Sequence, residues 1–269
     1  MVATDKMFAG SIPEIYDRYL VPLIFQPYAQ DLAERVAQTR PRDVLETAAG
    51  TGAVTRAMAA RLGPGVKITA TDLNQPMLDR AASMQGGKGQ VIWQQADALA
   101  LPFADASFDA VVCQFGAMFF PDKVKGYAEA RRVLKDGGRF LFNVWDAIPD
   151  NDFAAAANDT LAELFPNDPP RFMARTPHGY HDAARIRAEL EQAGFRQVAI
   201  ETVTHRSKAA SARDVAVAYC QGTPLRNEIE GRDASLLGKA TDMTEAAIRQ
   251  RFGAGAVEGK IQALVISAG

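Results

Sequence analysis

The stretch VLETAAGTG, residues 44–52, decides the fold of this chain, because it joins a short apolar strand to a turn of small residues. Glycine reaches backbone angles that other residues avoid, so such a turn lets the backbone come very close to a ligand. The next residues, AVTRAMAARL, have the composition of a helix whose unpaired N-terminal N–H groups face the turn. A strand, a tight turn and a helix in this order predict the first unit of a nucleotide-binding α/β sheet.

Composition and charge limit the classes of partner. The chain has 269 residues, enough for one large α/β domain, and a net charge of -2, whereas nucleic-acid and membrane-surface partners normally require a basic patch. The two cysteines are far apart and lack metal-ligand spacing, so we expect neither a metal site nor a disulfide. Without a secretory signal or a membrane-spanning run, we expect a cytoplasmic protein with a small-molecule partner, either monomer or homodimer.

Strands and helices alternate after the first unit. The runs VKITATD, QVIWQQAD, FDAVVCQFG and RFLFNVWD have the apolar character of strands, and two further strands are expected toward the C-terminus. This alternation predicts an α/β fold with a doubly wound, mostly parallel, seven-stranded sheet.

No linker divides the chain clearly, so we expect a single domain over residues 1–269. We expect an N-terminal helical segment at residues 1–40 and helical insertions at about 147–180 and 207–253. Pro22 and Pro27 predict that the N-terminal segment forms a pair of short helices rather than one long helix.

Acidic residues end the first three predicted strands: Glu46, Asp72 and Asp97. Ligands of open α/β sheets bind across the carboxyl ends of the strands, so these three positions reinforce one another. Asp72, 20 positions after Gly52 (72 − 52), is placed to accept hydrogen bonds from ribose hydroxyls; capping of the next helix is the alternative. Asp97 can accept a hydrogen bond from an adenine amino group, while the N–H of Ala98 donates to a ring nitrogen.

Two classes of adenosine cofactor fit a ribose-binding acid. A nicotinamide dinucleotide prefers GxGxxG around its pyrophosphate, but this chain reads GTGAVT from Gly50, with Thr55 in place of the third glycine. A carboxylate at Glu46 would repel phosphate and attract the ammonium and sulfonium of S-adenosylmethionine. A nicotinamide-dependent oxidoreductase is therefore the less favoured alternative, and a non-catalytic S-adenosylmethionine-binding module is another.

The sequence resembles the class I S-adenosylmethionine-dependent methyltransferases. VLETAAGTG is similar to their glycine-rich first motif, TATDLNQPML to their acidic second-strand motif, QQADALALPFADASFDAVVCQFGAMFFPD to their third and fourth strand region, and RRVLKDGGRFLFNVWD to the segment around the fifth strand. The resemblance covers roughly residues 40–146 and is strongest to the type 11 branch, with the ubiquinone/menaquinone C-methyltransferases. It implies an enzyme that transfers a methyl group from S-adenosylmethionine to a small-molecule acceptor by in-line displacement.

The resemblance also implies a role for each matching residue. Glu46 would orient the turn and the ammonium of the methionine part. The other implied cofactor contacts are Ala48, Gly50 and Gly52 along the methionine part, Asp72 and Leu73 at the ribose, Met77 on one adenine face, Asp97 and Ala98 at the adenine edge, and Gln114 near the amino-acid part. The departure from the family pattern is Ala48, which stands where a first glycine is usual.

A substrate pocket is expected between the end of the fourth strand and the variable segments. The residues expected to line it or to form a lid that excludes water are Tyr16, Tyr19, Phe25, Phe115, Met118 and Phe119. No motif surrounds any histidine, so the catalytic residues are unknown from the sequence. Methyl transfer depends mainly on positioning of nucleophile, methyl and sulfur, so a dedicated base is optional.

Overall fold

The computed structural model describes residues 12–85 and 91–269, and the start of the predicted N-terminal segment, before residue 12, lies outside the described residues. The helices are α1 (Ile12–Ile15), α2 (Gln26–Gln38), α3 (Ala53–Arg61), α4 (Gln75–Met84), α5 (Lys123–Val133), α6 (Asp152–Leu164), α7 (Phe172–Arg175), α8 (Ala183–Gln192), α9 (Ala212–Gln221), α10 (Leu225–Asp233) and α11 (Leu237–Phe252). A π-helix spans Tyr16–Phe25, and short 3₁₀ helices span Ala117–Phe119, Ile148–Asp150 and Ala234–Leu236. The strands are β1 (Asp43–Glu46), β2 (Lys67–Asp72), β3 (Val91–Gln95), β4 (Phe108–Gln114), β5 (Leu134–Trp145), β6 (Val198–Ala209) and β7 (Val257–Ala268).

In the described residues, the strands form one seven-stranded sheet in the order β3-β2-β1-β4-β5-β7-β6. β1 pairs in parallel with β2 and β4, β2 with β3, and β4 with β5, whereas β7 is antiparallel to β5. The predicted fold class is confirmed. The strand order reverses between β1 and β4, and the carboxyl ends of strands at such a reversal form the usual ligand-binding crevice.

The first strand-turn-helix unit forms at this crevice. Val44 and Leu45 of β1 are fully buried, and Leu45 lies opposite Thr69 of β2 and Val111 of β4. Because all three strands run in the same direction, their carboxyl ends open at one edge of the sheet. The turn after β1 therefore lies at that edge, and α3 begins directly after it.

Helices cover both faces of the sheet. Tyr127 of α5 packs against Phe140 and Phe142 of β5, with ring centroids 5.8 and 5.3 Å apart. Tyr28 of α2 meets Trp145 of the same strand edge to face at 5.4 Å. Since successive residues of a strand point to opposite faces, α5 and α2 lie on opposite sides, which confirms the doubly wound prediction.

The chain divides into two compact units. The sheet unit comprises Gln26–Trp145, Tyr180–Val203 and Ala263–Gly269. The helical unit comprises Asp146–Gly179, Thr204–Gln262 and the described part of Met1–Phe25. β6 and β7 contribute residues to both units.

The helical unit is built around packed helices. α9 packs against α11 and the π-helix, and α11 packs against α6, where Phe153 and Phe252 meet edge to face at 5.0 Å. Its two longer segments correspond to the predicted insertions at about 147–180 and 207–253, both of which contain helices. The single-domain organisation stays a prediction.

The predicted break in the N-terminal segment is wrong. Helical structure is continuous from Ile12 to Gln38, and only its type changes, from α to π and back to α. Pro22 lies within the π-helix, where hydrogen bonds run to the fifth residue instead of the fourth, so the usual clash of a mid-helix proline is altered. Pro27 is the second residue of α2, in a first turn whose N–H groups need no α-helical partner.

Candidate functional site

The turn after β1 contains three residues with left-handed backbone angles. The φ angles are 52° at Ala48, 57° at Gly50 and 79° at Gly52. Among the described residues, a Cβ atom built on Gly50 would meet only the methyl of Met77 within 4 Å, at 3.7 Å. The turn thus leaves space beside Gly50, with Met77 on one side of it.

At Gly52, tight packing against neighbouring side chains excludes any residue with a Cβ atom. A Cβ atom there would lie 2.8 Å from the ring of Trp93 on β3 and 3.2 Å from Cβ of Ala81 on α4. The absence of a side chain at Gly52 therefore lets the start of α3 pack closely against β3 and α4.

Glu46 is buried at the end of β1, with a side chain only 1% exposed. The hydroxyl of Thr55 on α3 donates to its carboxylate at 2.5 Å. Burial raises the pKa of Glu46 to about 8, although the hydrogen bond from Thr55 and the charge of Arg56 oppose the shift. The site therefore holds a carboxyl group that a nearby cation would help to ionise.

Asp72, at the end of β2, accepts two backbone hydrogen bonds. Its Oδ2 accepts from the N–H of Gly50 and its Oδ1 from the N–H of Asn74, each at 2.8 Å. Burial raises the pKa of Asp72, and these hydrogen bonds work in the opposite direction. The residue at the N-cap of α4 is Asn74, so helix capping is not the whole role of Asp72.

The other predicted adenosine contacts lie around the same edge. Leu73 is 46% exposed, which is unusual for a leucine, whereas Met77 is 4% exposed. Asp97 is exposed, and its Oδ1 accepts from the N–H of Leu99 at 2.9 Å, so the side chain stabilises its own turn with one oxygen. Ala98 is half-buried.

The end of β4 packs directly against the glycine-rich turn. A Cβ atom on Gly116 would lie 2.4 Å from Cβ of Ala48 and 2.8 Å from the sulfur of Cys113. The methyl group of Ala48, at the position where the family pattern has glycine, is therefore accommodated by a glycine across the crevice. Gln114, half-buried, ends β4 just before this contact.

Phe115 is buried in an aromatic cluster. It adopts a φ of 50°, and its ring stacks on Trp145 with centroids 3.7 Å apart, while Tyr28 contacts both rings edge to face. Its N–H donates to the side-chain oxygen of Asn143 at 3.0 Å. Of the other predicted pocket residues, Met118 is buried and Phe119 is half-buried.

The predicted lid residues belong to the helical unit. Tyr16 and Phe25 lie at the two ends of the π-helix with ring centroids 5.1 Å apart, and the guanidinium of Arg18 lies 5.1 Å from the ring centroid of Tyr19. Their role as a lid, and the cofactor and pocket roles of the other residues, stay predictions.

Both cysteines are buried free thiols. Burial raises the pKa of Cys113 to about 12 and that of Cys220 to about 11, so neither is a reactive thiolate. Over residues 12–85 and 91–269, His, Cys, Asp and Glu side chains form no group of three that could hold a metal ion. Within the same ranges, no helix has the length and apolar character needed to cross a bilayer.

Three residues of the turn region were not assigned roles from the sequence. Thr51 is 1% exposed, and its hydroxyl oxygen has no hydrogen-bond partner among residues 12–85 and 91–269. Arg56 donates to the carbonyl of Thr51 at 2.6 Å, and Thr55 binds Glu46. Thr51 and Thr55 both lie within GTGAVT, but a glycine pattern gives no role to the two hydroxyl groups between and after its glycines.

Comparisons with known proteins point to one family. Residues 45–142 match the methyltransferase domain family. A ubiquinone/menaquinone biosynthesis C-methyltransferase UbiE from Ectopseudomonas mendocina is 34% identical over 215 residues, which are 74% of this chain and 78% of that protein. A demethylmenaquinone methyltransferase from Deinococcus radiodurans is 38% identical over 142 residues, 52% of this chain. That match spans 58% of the Deinococcus protein, less than two thirds of its length.

Solved structures share the fold. The YcgJ protein from Bacillus subtilis aligns with a TM-score of 0.55 at 21% identity, covering 88% of this chain and 96% of that one. The phospholethanolamine N-methyltransferase 2 of Haemonchus contortus, solved with S-adenosylhomocysteine, aligns with a TM-score of 0.61 at 16% identity, covering 100% of this chain and 60% of that one. At such identities the likeness concerns the fold alone.

The glycine-rich turn, the strand order and the identity to the Ectopseudomonas protein agree, and they favour neither a nicotinamide enzyme nor a non-catalytic module. The chain belongs to the class I S-adenosylmethionine-dependent methyltransferases, in the branch that includes the ubiquinone/menaquinone C-methyltransferases.

Proposed function

We propose that the crevice at the carboxyl ends of β1, β2 and β4 binds S-adenosylmethionine, and that the acceptor is a small aromatic molecule. The observation that carries the cofactor proposal is the turn itself. It combines open space at Gly50 with a buried carboxyl at Glu46 and a buried hydroxyl of Thr51 that has no partner in the part of the chain that the structure describes. A buried polar atom of this kind is normally satisfied by water or a ligand.

The donor set fits this cofactor better than a phosphate-containing one. Glu46 would stabilise the ammonium and sulfonium charges, whereas the same carboxyl would repel a pyrophosphate. Asp72 would accept hydrogen bonds from ribose hydroxyls, and Met77 would contact the adenine face beside Gly50. Asp97 would accept a hydrogen bond from the adenine amino group, and the N–H of Ala98 would donate to a ring nitrogen.

When bound, S-adenosylmethionine supplies a methyl carbon that its sulfonium already activates. The residues of this chain then have to bind the cofactor and the acceptor, orient them, and exclude water. Alignment of the two reactants is the main contribution that a protein makes to such a displacement. Met118 and Phe119, which follow β4, are the side chains that we assign to the acceptor side. Leu73, exposed beside Asp72, would be covered on binding.

The names of two relatives support the proposed acceptor class. They are named demethylmenaquinone and ubiquinone/menaquinone methyltransferases, so a prenylated naphthoquinol is the first acceptor to test. An apolar segment with a half-buried phenylalanine at position 119 suits a flat ring of this type.

Two measurements test the proposal. Calorimetry should detect binding of S-adenosylhomocysteine and none of NADH. Transfer of tritium from methyl-labelled S-adenosylmethionine should then be measured with a short-chain demethylmenaquinol, a catechol and an aliphatic amine. We expect labelling of an aromatic acceptor. Labelling of the amine alone would contradict the acceptor class, and absence of S-adenosylhomocysteine binding would contradict the cofactor site.

A further inference from the structure

The segment from Phe115 to Phe120 leaves β4 at the predicted cofactor crevice and is packed tightly at both ends. Near its start, Gly116 lies against Ala48, where a Cβ atom would come within 2.4 Å. At its end, the ring of Phe120 lies so close to Gly126 that a Cβ there would be 2.6 Å from the ring. Met118 and Phe119 lie between these two contacts.

Lys123 binds the backbone of this segment. Its ammonium donates to the carbonyl of Phe120 at 2.8 Å and to that of Met118 at 3.3 Å. Lys123 is the first residue of α5, so the start of the helix and the segment before it are joined by one side chain. The two carbonyls belong to Met118 and Phe120, the residues directly before and after Phe119.

Tyr180 covers the same ammonium. The Nζ atom of Lys123 lies 4.6 Å from the ring centroid of Tyr180, which is 3% exposed. A cation over an aromatic face is attracted by the ring quadrupole, more strongly where water is excluded. Tyr180 is itself held: its hydroxyl donates to Glu189 on α8 and lies 3.0 Å from the hydroxyl of Tyr127.

The tyrosine keeps its neutral form. Burial and the neighbouring hydroxyl and carboxylate groups raise the pKa of Tyr180. The ring therefore offers the ammonium a neutral aromatic face, fixed by α8 and α5, over the ordinary pH range.

We propose that Lys123 and Tyr180 form a clasp that positions residues 115–120 for acceptor binding. This rests on the proposed function, in which Met118 and Phe119 face the acceptor. In this arrangement Lys123 and Tyr180 are positioning residues: they hold the carbonyls of the segment and thereby set where its side chains lie.

A contact that stabilises the fold without affecting the acceptor is the competing explanation. It predicts changes in thermal stability alone. The clasp predicts a selective change in the acceptor KM, because only the acceptor side of the site depends on residues 118 and 119.

The experiment compares four variants: Lys123→Met, Lys123→Arg, Tyr180→Leu and Tyr180→Phe. Hydrogen exchange of residues 115–122, calorimetric affinity for S-adenosylhomocysteine, and KM and kcat with a short-chain demethylmenaquinol are measured on each. In Lys123→Met and Tyr180→Leu we expect exchange and acceptor KM to rise about ten-fold, with kcat and cofactor affinity within about two-fold of the parent. Lys123→Arg keeps a cation and Tyr180→Phe keeps the ring, so both should remain near the parent values.

The outcomes are separable. Unchanged exchange in Lys123→Met overturns the clasp. Raised exchange with an unchanged acceptor KM overturns its role in acceptor binding. If the parent protein does not turn over the quinol, the proposed acceptor is wrong, whereas the exchange measurement still decides whether the clasp holds the segment.

Discussion

The backbone N–H of Gly50 donates a hydrogen bond to the carboxylate of Asp72 at 2.8 Å, which ties the glycine-rich turn to the end of β2. The other carboxylate oxygen accepts from the N–H of Asn74, so one side chain organises two loops at the crevice. The carboxylate of Asp72 is therefore already held in place before it accepts any hydrogen bond from a ribose. Such preorganisation lowers the entropic cost of binding.

We predict that Asp72→Ala weakens binding of S-adenosylhomocysteine by about ten- to a hundred-fold, the value of one or two charge-assisted hydrogen bonds. Calorimetry on the folded variant measures the change. Asp79→Ala is the matched control, because Asp79 lies exposed on α4, where its carboxylate accepts a hydrogen bond from the side-chain amide of Gln75 at 2.7 Å. Full affinity in a folded Asp72→Ala protein would show that Asp72 only organises the loops.

Gly50→Val is expected to abolish binding of S-adenosylhomocysteine while the protein still folds. Among the described residues, only Met77 lies within 4 Å of a Cβ at position 50, so the added side chain would occupy space that we assign to the cofactor. The left-handed angle at position 50 adds a strain of roughly 1–2 kcal/mol. Gly63→Ala is the control, since a Cβ at Gly63 would meet no atom of the described residues within 4 Å apart from its chain neighbours. Equal affinity of Gly50→Val and the parent would remove this turn from the cofactor site.

The sequence was sufficient for the sheet and for the residues that follow its strands. Hydrophobic runs ending in Glu46, Asp72 and Asp97 have a local signature, because strand ends and turns depend on neighbours in the chain. These local patterns predicted the seven-stranded sheet, whereas the cofactor site at its edge stays a prediction.

Contacts between distant segments had no such signature. Nothing in the sequence relates Ala48 to Gly116, or Lys123 to Tyr180, because these pairs meet only after the strands have assembled. The N-terminal break was mispredicted for a related reason. Proline rules describe the α-helix, and at Pro22 the chain adopts a π-helix that the rules do not cover.

The Ala48 and Gly116 pair predicts a double-mutant cycle. Gly116→Ala should destabilise the protein by about 1–3 kcal/mol, because the new methyl would overlap Cβ of Ala48 and the sulfur of Cys113. Ala48→Gly removes the first overlap and not the second, so the double variant should recover only part of the loss. Denaturant unfolding measures all four proteins. Strict additivity would mean that the two positions do not contact each other.

Glu46 predicts a pH-dependent affinity for S-adenosylmethionine. Its pKa in the protein is about 8, so at pH 6 the carboxyl is protonated, and binding of a cation that favours the ionised form must release that proton. Affinity should therefore rise with pH from 6 and level off above about 8, by at most about ten-fold per pH unit. Calorimetry over this range on the parent and on Glu46→Gln measures the effect. If affinity changed equally with pH in both proteins, Glu46 would not be the group that titrates on binding.

The same residue gives a stability test without ligand. Its pKa is raised above the usual 4.5, so between 4.5 and about 8 the folded state binds more protons than the unfolded state. Stability contributed by the neutral carboxyl is then lost as pH rises through this window. Thermal unfolding should show the parent losing stability relative to Glu46→Gln from pH 5 to pH 8. Thr55→Val, which removes the hydroxyl that bonds the carboxylate, should raise the pKa further and enlarge the loss.

The last prediction concerns the N-terminal segment. The π-helix buries Leu20, Val21, Leu23 and Ile24, and the carbonyl of Leu23 accepts a hydrogen bond from Ser207 at 2.7 Å. A helix of this type is rare and is frequent at functional sites. We predict that residues 12–28 become more protected when S-adenosylhomocysteine binds, because closure of an aromatic segment would exclude water from the reacting methyl group.

Hydrogen exchange with and without S-adenosylhomocysteine measures this protection. Peptides from α11, in the same unit, serve as the internal reference for any global stabilisation by the ligand. Tyr16→Ala and Tyr19→Ala should reduce the ligand-induced protection and leave α11 unchanged. Protection that rises equally in residues 12–28 and in α11 would reflect global stabilisation, and an unchanged segment would mean that Tyr16, Tyr19 and Phe25 form neither a lid nor a wall of the site.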